Sequence, residues 1–231
     1  MRPRQIALGA TCAMVASVQF SIAISQIFLT VAVLAWATTL IAERRRPSAP
    51  AWALPLALYM GWTLVSALFS IDPPASLVGS KQLVLFVIVP IVYDVLDETT
   101  AVPMTTLILV SAAASALVGI VQYAVLHYDN LGQRPSSTVG LYMTFSGLMM
   151  LSLNLAIARA VFPTRSRMWP VVVMPALAVA LALTFARNAW AGWFLAVALL
   201  LVMRDFRLAA LLPIVAAVFF ALAPAQIVQR F

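Results

Sequence analysis

Three cations in this chain, Lys81, Arg134 and Arg187, fall at or beside helix ends. An ammonium or guanidinium placed there is well suited to holding an anion. Arg187 belongs to Thr184-Phe185-Ala186-Arg187-Asn188-Ala189-Trp190-Ala191-Gly192-Trp193 and is the only charge between Trp169 and Met203. A membrane span takes about 20 residues, so that run is too long for one span and long enough for two. It is expected to fold back at Arg187-Asn188, which puts the guanidinium beside helix ends at a membrane face. A charge is expensive there unless an anion meets it. Helix ends help, because aligned amide dipoles and open N–H groups also favour negative charge. Arginine supplies a bidentate fork and lysine a point charge, so Lys81, Arg134 and Arg187 together would cradle a phosphate group. The plainer alternative is that Arg187 snorkels to the lipid headgroups, with Trp190 and Trp193 as interface anchors, and that Lys81 and Arg134 are loop residues.

The elements that must position these side chains are set by composition. The chain is 64% apolar and 9% charged with a mean hydropathy of +1.04, against roughly 45–50% apolar and 25% charged for soluble domains. A soluble globular fold is excluded. Transmembrane barrels alternate apolar and polar residues in short segments, whereas here long uniformly apolar runs dominate, so the fold class is an all-α polytopic transmembrane bundle. The net charge of +7 does not mark a nucleic-acid binder, because the cations fall in ones to threes between apolar runs, which is the pattern of membrane topology. Cys12 is the single cysteine, so no intrachain disulfide or cysteine-based zinc site can form.

Read in order, the basic Met1-Arg2-Pro3-Arg4 runs straight into apolar sequence with no small-residue cleavage site, so the first span is retained. Residues 5–42 hold two spans, with Ser21, Ser25 and Gln26 at the turn and Glu43-Arg44-Arg45-Arg46-Pro47 closing the hairpin. A third span covers 50–70. Ile71-Asp72-Pro73-Pro74 reads as a loop, since proline removes donors and fixes φ. A fourth span, about 79–93, begins with Lys81. Asp94, Asp97 and Glu98 form a short acidic loop. The fifth span, 103–124, carries the small-residue run Ser111 to Ala116, which lets helices approach closely in lipid. A polar stretch from His127 to Pro135 precedes a sixth span at about 139–158, closed by Arg159, Arg165 and Arg167. Spans seven and eight flank Arg187, and Arg204-Asp205-Phe206-Arg207 separates them from a ninth at about 208–223.

With the N-terminus cytoplasmic, this nine-span arrangement places Arg2, Arg4, Arg44, Arg45, Arg46, Arg159, Arg165, Arg167, Arg204 and Arg207 inside. Only Lys81, Arg134, Arg187 and Arg230 remain outside, a distribution that obeys the positive-inside rule. Arg230 is adequately explained as a loop residue. The other three are the cations that need a further reason.

Four segments, in this order and spacing, carry a resemblance: Trp62-Thr63-Leu64-Val65-Ser66-Ala67-Leu68-Phe69-Ser70-Ile71-Asp72-Pro73, Lys81-Gln82-Leu83, Arg134-Pro135-Ser136-Ser137-Thr138-Val139-Gly140 and Thr184-Phe185-Ala186-Arg187-Asn188-Ala189-Trp190. Together they resemble the bacterial O-antigen ligase family, which also contains O-antigen polymerases and related bactoprenol-linked glycan transferases. The resemblance implies a multi-pass protein of the bacterial inner membrane whose site faces the periplasm. It implies transfer of a glycan from undecaprenyl diphosphate to lipid A-core oligosaccharide in lipopolysaccharide biosynthesis, without nucleotide, cofactor or metal. Under it Arg187 is catalytic, and Lys81, Arg134 and Arg187 bind the substrate diphosphate. The alternative within the family is a polymerase. Two departures stand out: Ala186 replaces the usual serine before the arginine, and Asn188 the usual small residue after it. Family members also continue to around twelve spans and carry a periplasmic loop with an essential histidine. Gln226 to Phe231 therefore reads as the threshold of that loop, and the chain as the N-terminal portion of a longer protein.

Breaking a sugar–diphosphate bond calls for fixed cations aimed at the leaving group and a base on the acceptor hydroxyl. His127, the one histidine, falls in a different loop from the family's and reads as a solvated residue; Asp72, between Ile71 and two prolines, reads as a turn residue. No phosphate-binding glycine loop, zinc-protease helix or serine-nucleophile elbow occurs. Two other classes also fit the composition, a transporter fragment and a non-catalytic membrane scaffold. The first lacks the paired, broken spans of two related halves, and Pro90, Pro175 and Pro213 do not occupy matching places.

Overall fold

The computed structural model describes residues 3–48, 50, 52–128, 133–162, 168–211, 213–214 and 217. Among them the chain is all helix: α1 (Pro3–Ser17), α2 (Ile22–Glu43), α3 (Ala53–Leu68), α4 (Pro73–Gly79), a 3₁₀ segment (Ser80–Val87), α5 (Ile88–Val95), α6 (Glu98–Leu126), α7 (Tyr142–Val161), α8 (Met168–Leu183), α9 (Arg187–Arg204) and a second 3₁₀ segment (Phe206–Leu211). Among the described residues, four helical stretches are long and apolar enough to cross a membrane: Ile22–Glu43, Pro73–Val95, Glu98–Leu126 and Tyr142–Val161. The fold is that of a helical membrane protein.

Most turns fall where polar residues interrupt the apolar runs, but two expectations are corrected. Pro73 and Pro74 do not belong to a loop; they open α4, with Asp72 accepting the Ala75 N–H at 3.2 Å as its cap. Proline at a helix start loses nothing, since that N–H has no intrahelical partner and φ is already set for the helix. The fourth apolar element therefore begins at Pro73 rather than near 79, and Lys81 lies about two turns inside it. Similarly, the first hairpin turns just before Ile22, so that Ser25 and Gln26 are already helical. The ninth expected span, 208–223, lies largely outside the described residues, as do Arg165, Arg167 and Arg230.

The chain divides into two units, residues 1–14 with 26–102 and residues 15–25 with 103–231. The first packs Ala7, Ala35, Trp36, Ile91 and Val95 together. Its polar centre is Asp94, whose side chain is 3% exposed. Asp94 accepts from Trp36 Nε1 (2.9 Å), Arg45 Nη2 (2.8 Å) and the Ser48 hydroxyl (2.8 Å), tying the end of α2 to the end of α5. Asp94, expected in an acidic loop, is thus a buried acceptor with three donors rather than an open loop carboxylate. Asp97 is an exposed cap for α6. It accepts from the Thr99 and Thr100 N–H groups and from the Thr99 hydroxyl at 2.6 Å, which lowers its pKa to about 2. Leu58 and Trp62 on α3, and Phe69 just after it, are exposed apolar side chains, the character expected of surface that meets lipid.

In the second unit, α7 packs against α8 and α9. The core runs from Leu109, Ala112 and Ala116 of α6 through Phe145, Met149 and Leu153 of α7 to Leu177 and Leu181 of α8. The small-residue run of α6 faces inward as its composition implies, with Ser111, Ala112, Ser115 and Ala116 all buried. Gly119 continues that face, where the Phe145 ring occupies the space a β-carbon would need. Arg159, read from sequence as a membrane-edge cation, is buried, and its Nη1 donates to Thr106 Oγ1 at 2.8 Å.

Candidate functional site

The α8–α9 turn is built around a strained residue. Thr184 follows α8 and is buried, its hydroxyl donating to the Leu181 carbonyl at 2.7 Å. Phe185 then takes φ +52, a left-handed conformation that is an outlier for a bulky side chain and costs on the order of 1–2 kcal/mol. The ring holds it there: Phe185 is 5% exposed and packs with Trp190, partly buried Trp193 and Tyr123. Trp190 and Trp193 meet edge to face at 5.8 Å between centroids. Trp190 is therefore not the interface anchor of the snorkelling alternative; it packs inward and fixes the turn. Ala186 is extended and caps nothing with its side chain, and Arg187 is the first residue of α9. An exposed guanidinium thus stands on a helix N-terminus whose first-turn amides lack a side-chain cap, a location that suits an anion.

Arg134 reaches the same place from the segment between α6 and α7. Its guanidinium carbon lies 4.4 Å from the centroid of the Tyr142 ring, a cation–π distance. Arg134 and Arg187 line one cavity of about 470 Å³. Tyr142, Ser146 and Asn188 add polar groups to it; Met143, Met150 and Phe185 give it an apolar side. Two of the three expected cations are therefore brought together. Lys81 belongs to the first unit, where it is exposed on the 3₁₀ segment. His127 is exposed, with φ +56, and does not line the cavity. Asp72 caps α4 and is explained by that.

Sequence reasoning missed what holds the Arg134 segment. Gln122, two turns beyond Ser115 on α6, uses both ends of its amide. Its Oε1 accepts the N–H groups of Ser136 (3.0 Å) and Ser137 (2.8 Å), and its Nε2 donates to the Ser137 carbonyl (2.9 Å). Ser137 is buried with φ +51. Its hydroxyl lies 2.9 Å from that of Ser115, which donates to the Gln19 carbonyl at 2.7 Å. The Thr138 hydroxyl donates to the Phe20 carbonyl at 2.9 Å. The signal was present: an amide and several hydroxyls on an apolar helix must find partners, since burying them unpaired is costly.

No protein-family model matches this chain, and neither a curated protein nor a solved structure matches it.

Proposed function

We propose that this cavity holds the diphosphate of a polyprenyl-linked glycan and that the chain is the membrane-embedded part of an O-antigen ligase-like glycosyltransferase. The observation that carries the proposal is the meeting of Arg134 and Arg187, from separate connections, in one cavity with an apolar side. The guanidiniums suit the diphosphate and the Met143, Met150 and Phe185 side suits the first isoprenes. A sugar–diphosphate bond breaks with its electron pair going to the phosphate oxygen, so negative charge grows on the leaving group. A cation already aimed at that oxygen then acts more strongly in the transition state than on bound substrate. The acceptor in this reading is lipid A-core oligosaccharide, and its hydroxyl needs a base that the described residues do not bring to the cavity.

The proposed setting is a bacterial inner membrane, with nine spans, a cytoplasmic N-terminus and the cavity facing the periplasm. Hydrogen bonds support the parity of that arrangement. In the second unit, Gln19 and Phe20 after α1 bond to the polar network and to the segment after α6, and the turn after α8 lines a cavity with that segment. In the first unit, the ends of α2 and α5 share Asp94. Within the second unit the connections after the first, fifth and seventh spans thus come together, and within the first unit those after the second and fourth do. The experiment is glycan transfer in a ligase-deficient strain carrying the full-length protein at matched membrane abundance. Arg187→Ala is expected to lower transfer by about 10²–10³, and Arg187→Lys to fall well short of wild type because a point charge does not reproduce a bidentate grip. Wild-type lipopolysaccharide banding from both variants would leave Arg187 as a snorkelling residue.

A further inference from the structure

We infer that Gln122 is a positioning residue for the Arg134 guanidinium, an inference that rests on the cavity being an anion site. Three observations carry it. The Gln122 amide is committed to the backbone of Ser136 and Ser137 at 2.8–3.0 Å, through two accepted bonds and one donated. Ser137 is held in a left-handed conformation, φ +51, which persists only where the surroundings over-determine it. Between this clamp and Arg134 lies only Pro135, fully buried and fixed in φ by its ring. Placement of the Ser136–Ser137 backbone is therefore passed across one rigid residue to Arg134, whose guanidinium rests against Tyr142 at the cavity wall.

A simple alternative is that Gln122 staples the segment for stability and has no bearing on the guanidinium. The two differ in additivity, because a residue acting through Arg134 has nothing left to act on once Arg134 is gone. The test uses the 231-residue chain in phosphatidylcholine nanodiscs with farnesyl diphosphate as the probe. Gln122→Met, which loses all three bonds at similar length, and Arg134→Ala are each expected to weaken binding about 10-fold, the scale of one charge-assisted hydrogen bond. The double variant is expected to bind no more weakly than Arg134→Ala alone. Should Gln122→Met impair folding, Gln122→Asn is one methylene too short to reach and should show the same pattern. Losses that multiply in the double variant overturn the inference, as does wild-type affinity in the Gln122 variants when Arg134→Ala binds weakly. Unchanged affinity in Arg134→Ala overturns the anion reading of that residue and takes the positioning inference with it.

Discussion

Gly119 and Gly192 allow a paired experiment in which the structure sets the magnitude. A β-carbon on Gly119 would stand 2.6 Å from Phe145 Cζ and 2.9 Å from Cε1, where ordinary contact begins at 3.4 Å. Phe145 is fully buried in the core shared by α6, α7 and α8, so its ring has nowhere to go, and overpacking of this kind costs about 1–3 kcal/mol. A β-carbon on Gly192 would stand as close to Met150, 2.7 Å, but to the sulfur of an unbranched side chain that a rotamer change can move aside. Both substitutions gain the same helix propensity, about 1 kcal/mol, so the difference between them removes that contribution. Gly119→Ala should be less stable than Gly192→Ala by about 1–3 kcal/mol in equilibrium unfolding of the purified chain in one detergent. Because Met150 lines the cavity, Gly192→Ala should also alter farnesyl diphosphate affinity while Gly119→Ala, if folded, does not. Equal stabilities, or a more stable Gly119→Ala, would refute the packing described for α6 and α7.

Asp94→Ala strands the buried Trp36 N–H along with Arg45 and Ser48; it should destabilise the first unit by about 2–3 kcal/mol, with Asp94→Asn, which keeps an acceptor, losing clearly less by the same unfolding measurement. The Asp97 cap has a carboxyl pKa lowered to about 2 from an ordinary 3.8, so its contribution is complete above about pH 4 and is lost as pH falls through 2. Amide exchange at Thr99 and Thr100, corrected for intrinsic rates, should rise across that window in the wild type, and Asp97→Asn should flatten the change. Reporter fusions after Arg46 and Arg207 should report cytoplasm and those after Pro74 and Gln133 periplasm; a periplasmic signal at Arg46 or Arg207 would overturn the nine-span arrangement.

The fold class was legible because hydropathy alone decides it, and most turns were legible because the residues that stop an apolar run are few. Arg187 stood out as a charge within a long apolar run and Arg134 as a cation that the positive-inside count leaves outside, and both line the cavity. What escaped was anything that depends on a partner distant in sequence. Asp94 looked like a loop carboxylate until Trp36 and Arg45, from another helix and its flank, closed on it. Arg159 looked like a membrane-edge cation, although burial beside Thr106 is equally compatible with its position at the end of a span. The Pro73-Pro74 pair removes two donors and so suggests a loop, while its place directly after an aspartate marks a capped helix start. Trp190 has the composition of an interface anchor, and only the left-handed Phe185 beside it turns it into the packing partner that fixes the α8–α9 turn.

If Arg187 and Arg134 form one diphosphate site, the purified chain in phosphatidylcholine nanodiscs should bind undecaprenyl diphosphate. Wild type should bind with an affinity that falls as salt rises, since the contacts are charged and accessible. Arg187→Ala and Arg134→Ala should each weaken binding about 10-fold, and undecaprenol, which lacks the diphosphate, should bind far more weakly than either variant binds the diphosphate. Equal affinity for undecaprenol and undecaprenyl diphosphate, or wild-type affinity in both arginine variants, would contradict the account.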